Sequence, residues 1–139
     1  MIKMTSEARI TRINPPELGT PPGYSQVVDV SAGRIIFIAG QTALDRGGNL
    51  VGKNDFAAQA AQVFRNLSLA LEASGCTAAN LVKLTVFLTD IDNLGSYREA
   101  RNRFFASVTP PAAPAVTLVE VSKLYGPDFM IEIEAIAAV

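Results

Sequence analysis

At 139 residues the chain has the ordinary size of one domain, and 49% hydrophobic with 18% charged residues is the composition of a folded protein. A net charge of −1 without a basic cluster argues against a nucleic acid partner, and the absence of histidine excludes Ser-His-Asp and Cys-His catalysis. We therefore expect one domain over residues 1–139, in which Glu, Asp, Lys or Tyr supplies any general acid or base.

The first part of the chain predicts three short strands. They cover residues 7–13, 25–31 and 34–39. Gly33 is the hinge of a predicted hairpin between the second strand and the third. The segment 14–23 is rich in Pro and Gly, so we expect a loop there that delivers Tyr24 to the edge of the sheet.

A long amphipathic helix is predicted over residues 55–74. Apolar residues recur there at intervals of three and four, and Gly75 is a stop signal. The polar residues expected away from the apolar stripe are Gln59, Gln62 and Glu72. Cys76 follows the stop. Because no histidine is present to activate it, we expect it to be a buried apolar residue and not a nucleophile.

The second part of the chain predicts a central strand, a second helix and two final strands. Residues 81–89 are largely apolar on both faces, and Leu81, Lys83, Thr85 and Phe87 are expected to share one of them. The remaining predicted elements are a helix over 94–107 and strands over 115–121 and 130–137. Prolines 110, 111 and 114 separate that helix from the strands. The turn at 125–128 predicts that the last two strands form a hairpin.

This order of elements predicts an α+β fold, with a mixed β-sheet and two helices packed on one face. No element is left to cover the other face of the sheet, which is also largely apolar. We therefore expect that face to pack against other copies of the chain.

The sequence carries no sign of a metal, a cofactor or a membrane. One cysteine and no histidine do not make a transition-metal site, so we expect no metal and no cofactor. The N-terminal residues lack the apolar region of a secretory signal, and no stretch approaches the roughly 18 apolar residues of a membrane span. We expect a cytoplasmic protein.

The last predicted strand places two carboxylates among aliphatic residues. Successive side chains of a strand alternate in direction, so Glu132 and Glu134 point the same way. A carboxylate beside aliphatic neighbours loses hydration, which makes it a candidate acid, base or water-holder. The alternatives are a solvent-exposed outer face and a structural ion pair with Lys83.

Five motifs in the same order and at the same intervals resemble the RidA/YjgF family. They are Ile38–Gln41, Ala58–Gln62 with Asn66 and Leu67, Val82–Phe87, Pro114 with Ala115, and Ile131–Ala137. The resemblance runs from about Tyr24 to the C-terminus. It implies a chorismate-mutase-like fold, a homotrimer whose sheets form a central barrel, and a small-molecule cleft at each subunit interface.

The best-known members of that family hydrolyse 2-imino or enamine acids to 2-keto acids and ammonia. They use an Arg to clamp the substrate carboxylate and a Glu to position water. The resemblance implies that Glu132 holds water, that Tyr24 lines the cleft, and that the backbone of Ala39 and Gly40 approaches the ligand. Two alternatives stay open, in which Gly40 makes a bulge or strand-end bend and Tyr24 is an interface packing residue.

The position of the clamp departs from the family pattern. Active members carry Pro-Ala-Arg-Ser before the penultimate strand, and the matching run here is Pro114-Ala115-Val116-Thr117-Leu118. The apolar side chain of Val116 cannot pair with a carboxylate. The planar guanidinium of arginine can, because it donates two parallel hydrogen bonds to the carboxylate oxygens. Val116 and Leu118 would instead give the cleft an apolar floor.

A cation could enter the cleft from the second helix. Arg98 aligns with a position at which the family often places an Asn that faces the cleft. The alternative is that Arg98, Arg101 and Arg103 form an ordinary charged helix face, on which Glu99 pairs with Arg103 four residues later.

Three functions compete on this sequence. The first is an imine or enamine deaminase-type hydrolase of a non-archetypal subgroup, in which Glu132 handles water. The second is a trimeric protein that binds a small hydrophobic or aromatic ligand without turnover, which the apolar cleft floor favours. The third is the endoribonuclease activity attributed to some relatives. It comes last because the chain is slightly acidic and has no basic aromatic surface.

Overall fold

The computed structural model describes residues 9–109 and 112–139 of the chain. The strands are β1 (Arg9–Ile13), β2 (Val27–Ser31), β3 (Ile35–Gln41), β4 (Leu81–Leu88), β5 (Ala115–Glu120) and β6 (Ile131–Ala138). The helices are α1 (Phe56–Ala73) and α2 (Leu94–Phe105). Every predicted helix and strand is therefore present. Residues 7 and 8 of the first predicted strand lie outside the described residues.

The strands form two separate ladders. β1 and β2 make a two-stranded antiparallel sheet, and the other four make a mixed sheet in the order β3-β6-β4-β5. In the mixed sheet β4 runs parallel to β5 and antiparallel to β6. The prediction that β4 is a central strand is confirmed, and so is the α+β class with helices on one face of the sheet.

Both predicted hairpins are wrong. β2 pairs with β1, while the chain after Gly33 turns to β6, where the Arg34 amide donates to the Val139 carbonyl at 3.0 Å. β4 lies between β5 and β6, so the turn at 125–128 connects strands that are not neighbours. The second hairpin is not formed because α2 serves as a crossover connection. It brings β5 parallel to β4 and leaves the opposite side of β4 for β6.

Helix α1 buries one stripe of side chains against the sheet. Asp55 caps its first turn by accepting the Ala58 amide at 3.1 Å, and Gly75, with a φ of +74°, follows its last turn. The buried residues of the helix are Phe56, Gln59, Ala60, Val63, Phe64, Leu67 and Leu71. Cys76 is buried as predicted, and burial raises the pKa of its thiol.

The prediction for Gln59 is wrong, because this residue is fully buried within the apolar stripe. Its amide nitrogen donates to the carbonyls of Gly52 at 3.1 Å and Asp128 at 2.8 Å. Its amide oxygen accepts the Met130 N–H at 2.9 Å. These bonds satisfy the buried amide and fix α1 to the segment that leads into β6.

The ladder register assigns each side chain of the mixed sheet to a face, since directly paired residues project to the same side. Leu84 pairs with Val116 and Ala135 on the helix-covered face, and Phe87 pairs with Glu132 on the open face. Leu81 departs from the prediction. A register irregularity between Leu81 and Lys83 places Leu81 opposite buried Ala137, among the residues that pack under the helices.

No helix in the described part of the chain is both long enough and apolar enough to cross a lipid bilayer.

Candidate functional site

The residues that the sequence singled out fall into two groups. Ala39, Gly40 and Glu132 come together where β3 meets β6. The second group lines a cavity between α2 and β5 on the helix-covered face, and it consists of Tyr24, Arg98, Val116 and Leu118. Glu132 projects from the open face. One subunit therefore holds the two groups on opposite sides of its sheet.

A β-bulge separates Ala39 and Gly40 from the regular ladder. Ile38 pairs with Ala135 and Gln41 with Ile133, so β3 has one residue more than β6 over this interval. The Gln41 side-chain amide donates to the Ala39 carbonyl at 3.1 Å and supports the bulge. The interpretation of Gly40 as a bulge residue is thus confirmed.

Gly40 also makes room for the Glu132 carboxylate. A Cβ atom at Gly40 would lie 2.9 Å from Glu132 Cδ and would overlap Oε2. Only glycine leaves the carboxylate in this place without a shift of its side chain. The bulge and the carboxylate therefore form one structural unit.

The environment of Glu132 makes it a stronger base than an exposed carboxylate. Partial burial raises the pKa of Glu132, and the nearby charge of Glu134 raises it further. No hydrogen bond from the described residues stabilises the ionised form. A carboxylate with these properties retains its acceptor capacity for a water molecule or a ligand proton.

The predicted alternative of an ion pair with Lys83 is wrong for the described residues. Lys83 Nζ donates to Thr117 Oγ1 of the neighbouring strand at 2.7 Å. The single salt bridge in residues 9–109 and 112–139 joins Arg103 to Glu99 at 3.7 Å. Glu132 and Glu134 therefore have no cationic partner within this part of the subunit.

The second group surrounds a cavity of about 200 Å³. Its walls are Pro22, Tyr24, Leu94, Tyr97, Arg98, Arg101, Val116 and Leu118. The segment that carries Tyr24 is held against the start of β5, because the Ser25 amide donates to the Pro114 carbonyl at 3.1 Å. Val116 and Leu118, which the sequence predicts as an apolar floor of the ligand cleft, both line this cavity.

The three arginines of α2 do not form one charged face. Arg103 is exposed and pairs with Glu99 as the sequence predicts. Arg98 is exposed at the wall of the cavity. Arg101 departs from the prediction, because only 9% of its surface is accessible. Its guanidinium lies against Gly23, where an added Cβ would be 2.6 Å from Nη2.

Tyr97 joins Arg101 in the wall of this cavity. Its side chain is 1% exposed, and its hydroxyl has no hydrogen-bond partner among the described residues. Burial raises the pKa of Tyr97 to about 12, although the charges of Arg101 and Arg98 act in the opposite direction. The phenol is therefore protonated at neutral pH and can donate a hydrogen bond.

Sequence reasoning missed Tyr97 and Arg101, yet a signal for both was present. Tyr97, Ala100, Arg101 and Phe104 follow the spacing i, i+3, i+4 and i+7 that marks one helix stripe. An arginine on the apolar stripe of a helix is a better candidate for a binding residue than one on the charged face. The reason is that a buried cation needs a counter-ion or strong hydrogen-bond acceptors.

A polar cluster between β3 and α1 was also missed. Asn66 donates to the carbonyls of Thr42 at 3.0 Å and Leu44 at 2.9 Å, and Gln62 donates to Leu44 at 3.2 Å. These bonds hold the chain directly after the bulge. A groove of about 760 Å³ starts at Gly40 and continues along this segment to Tyr125.

Comparisons with known proteins agree with this architecture. Residues 17–139 match the model of the family described as Endoribonuclease L-PSP. Protein DfrA of Myxococcus xanthus is 39% identical over 114 residues, which are 82% of this chain and 83% of that protein. The human 2-iminobutanoate/2-iminopropanoate deaminase is 35% identical over 114 residues, which are 82% of this chain and 78% of the human protein.

A solved structure agrees over the whole fold. The crystal structure of YyfB from Yersinia pestis, a member of the conserved Rid protein family, superposes with a TM-score of 0.82 at 31% identity. The superposition covers 96% of this chain and 100% of YyfB.

Proposed function

Since this chain belongs to the Endoribonuclease L-PSP family, also called RidA/YjgF, we propose that it hydrolyses a small 2-imino compound to the keto compound and ammonia. The observation that carries the proposal is the Glu132 carboxylate. Burial and a like charge raise its pKa, and it has no donor among the described residues. Such a group is suited to accept a proton from water.

The reaction follows from the acceptor role of Glu132. The carboxylate takes a proton from water as the water oxygen adds to the C=N carbon, and it then passes that proton to the imine nitrogen, which leaves a neutral carbinolamine. The carboxylate next takes the hydroxyl proton of the carbinolamine and passes it to the departing nitrogen, so that ammonia leaves, the carbonyl forms and the ionised carboxylate is regenerated. One imine and one water thus give one carbonyl compound and one ammonia, with no redox step.

The proposed site needs two copies of the chain. Within one subunit Glu132 and the cavity beneath α2 lie on opposite faces of the sheet, so a small ligand cannot contact both. The open face also exposes apolar surface, with Phe37 76%, Ile35 49% and Val119 40% accessible. Burial of such a patch against another copy is favourable. We propose a homotrimer in which Glu132 of one copy faces the cavity of its neighbour.

The human relative supports the reaction class. Its name describes a deaminase of 2-iminobutanoate and 2-iminopropanoate, and it shares 35% of its aligned residues with this chain. Val116 stands where the family motif has the clamping arginine. The substrate range of this chain is therefore expected to differ from that of a protein with the strand arginine.

The same valine supports a second candidate function. An apolar floor at Val116 and Leu118 would suit a trimer that binds a small ligand without turnover. Under this reading, a ligand should raise the unfolding temperature of the assembly without being consumed.

The direct test of the proposed hydrolysis generates unstable imines within the assay mixture. A serine dehydratase supplies 2-aminoacrylate, an amino acid oxidase acting on leucine supplies a branched imine, and the rate of keto acid formation is compared with a buffer control. We expect acceleration by the wild-type protein, and we expect Glu132→Gln to reduce it by roughly 10²- to 10⁴-fold. Unchanged acceleration in Glu132→Gln, with its assembly intact, would contradict the role of Glu132.

Glu134→Gln is the matched control for this experiment. It removes a carboxylate from the same strand and the same face, and we expect it to retain most of the turnover. Because the negative charge of Glu134 raises the pKa of Glu132, its removal should lower that pKa. The base form of Glu132 would then persist to lower pH, so the acid limb of the pH–rate profile should move to lower pH.

A further inference from the structure

We infer that Arg101 of α2 is the anion-binding group of the cavity, and that it takes the carboxylate of a short aliphatic acid with help from the Tyr97 hydroxyl. The inference deepens the proposed function, because it names the substrate class of the same site. It assigns the clamp to a helix residue other than Arg98, the cation that the sequence suggested.

The first argument is the condition of the Arg101 guanidinium. A buried cation is destabilising unless a counter-ion or strong acceptors compensate it. No Asp or Glu oxygen in the described residues lies within salt-bridge distance of Arg101. Its side-chain hydrogen bonds there go to Asn102 Oδ1 alone, at 3.4 and 3.2 Å. Both are longer than the roughly 2.7 to 2.9 Å of a charge-assisted bond, so donors remain for an anion.

The second argument is the Tyr97 hydroxyl. It is buried in the same cavity wall, and it is one of two buried side-chain polar atoms that lack a partner in the described residues. A protonated phenol beside a guanidinium offers a neutral donor next to a charged one. A carboxylate has acceptor sites on both oxygens and can satisfy both groups.

The third argument is the charge and polarity of the walls. Among the described residues, the walls of the cavity include two arginines and no acidic residue, so their field favours an anion. Leu94, Val116 and Leu118 supply apolar surface beside them. A cavity of about 200 Å³ with one charged end and aliphatic walls fits a short acid with an unbranched or singly branched chain.

Glycine at position 23 is part of this arrangement. Its φ of +81° is a conformation that L-residues rarely adopt, and the guanidinium of Arg101 occupies the space where a side chain would begin. The loop backbone thereby closes over the cation and excludes solvent from one side. A cation shielded in this way binds an anion more strongly than an exposed one does.

Calorimetric titration with three probes tests the inference. The probes are 2-ketobutyrate, its neutral amide and inorganic phosphate. We expect 2-ketobutyrate to bind the wild-type protein, the amide to bind more weakly, and Arg101→Gln to weaken 2-ketobutyrate binding by roughly tenfold to a hundredfold. Arg103→Gln, which removes an exposed cation from the same helix, should bind as the wild type does.

Several results would overturn the inference. They are equal affinity of Arg101→Gln and wild type for 2-ketobutyrate, no binding of 2-ketobutyrate by the wild type, and tighter binding of phosphate than of the keto acid. If Arg101→Gln does not assemble, Tyr97→Phe decides, because it preserves the ring and removes only the hydroxyl. We expect a several-fold loss of affinity in that variant, and unchanged affinity would contradict the proposal.

The experiment also separates this inference from the proposed function. Binding that depends on Arg101 without any imine turnover would support the anion site and refute the hydrolase. Turnover that Arg101→Gln leaves unchanged would support the hydrolase and refute the anion site.

Discussion

The helix-covered face of the four-stranded sheet and its open face differ in how much of their apolar surface is buried within one subunit. On the covered face, α1 and α2 bury the aliphatic side chains of β4 and β6. On the same face, α2 and β5 line a small cavity whose wall includes the buried cation of Arg101. On the open face, Phe37 and Ile35 are exposed and Glu132 has no donor in the described residues. The first face completes its packing within one subunit, and the second is the face that we propose packs against another copy.

This difference explains why a small domain can separate the parts of a site. A guanidinium and a carboxylate in one cavity of one subunit would neutralise each other in an ion pair. Here Arg101 and Glu132 project on opposite sides of the sheet. Each therefore keeps hydrogen-bonding capacity for a ligand, and the proposed assembly would place the two groups of neighbouring copies in one cleft.

The largest expected effect on turnover comes from introducing a charge into the apolar surface of the open face. Phe37→Asp places a charge at the most exposed of the apolar residues named on the open face, where it would lose hydration on assembly. We expect a particle of one chain instead of three in analytical ultracentrifugation, with imine turnover lost together with assembly. Leu69→Asp, at an apolar position of α1 that is 50% exposed, is the matched control and should leave the particle size unchanged.

A smaller effect is expected at the bulge. Gly40→Ala adds a methyl group that overlaps the Glu132 carboxylate, so the carboxylate must rotate away. Because the carboxylate moves away from its place, we expect kcat to fall on the order of tenfold to a hundredfold. The displaced atoms are the end of a flexible side chain, so the free energy of unfolding should change by only about 0.5 kcal/mol.

Parallel turnover assays and denaturant titrations of Gly40→Ala measure both quantities. A large loss of stability would mean that Gly40 serves the strand and not the carboxylate. Wild-type turnover would mean that the position of Glu132 is unimportant.

Much of the fold could be predicted from the sequence. The period of three to four in α1, the capping Asp55 and the stop at Gly75 act over a few residues, so their outcome is local. The five motifs indicated the family from about Tyr24 to the C-terminus, and the family model matches residues 17–139. The strand order was not predictable in this way, since the pairing of β6 with β3 and β4 depends on contacts distant in sequence.

Only part of the candidate site could be predicted, because the rest also depends on contacts between residues distant in sequence. The sequence identified Glu132 and Gly40, but the close approach of the carboxylate to the glycine depends on a bulge that no residue pattern predicts. It chose Arg98 because of its position in an alignment, whereas burial distinguishes Arg101 from Arg98 and Arg103. Gln59 was assigned to the wrong surface because a fully hydrogen-bonded amide can occupy an apolar stripe.

The most direct measurement of the central claim is complementation between two variants that we expect to be impaired in turnover at low substrate concentration. Glu132→Gln and Arg101→Gln are prepared separately, then denatured, mixed in equal amounts and refolded, and imine turnover is compared with that of each variant refolded alone. If each cleft takes Glu132 from one copy and Arg101 from its neighbour, random mixing should restore roughly a quarter of the wild-type clefts. Turnover that stays at the level of the single variants, in mixed assemblies of normal size, would contradict a site shared between copies.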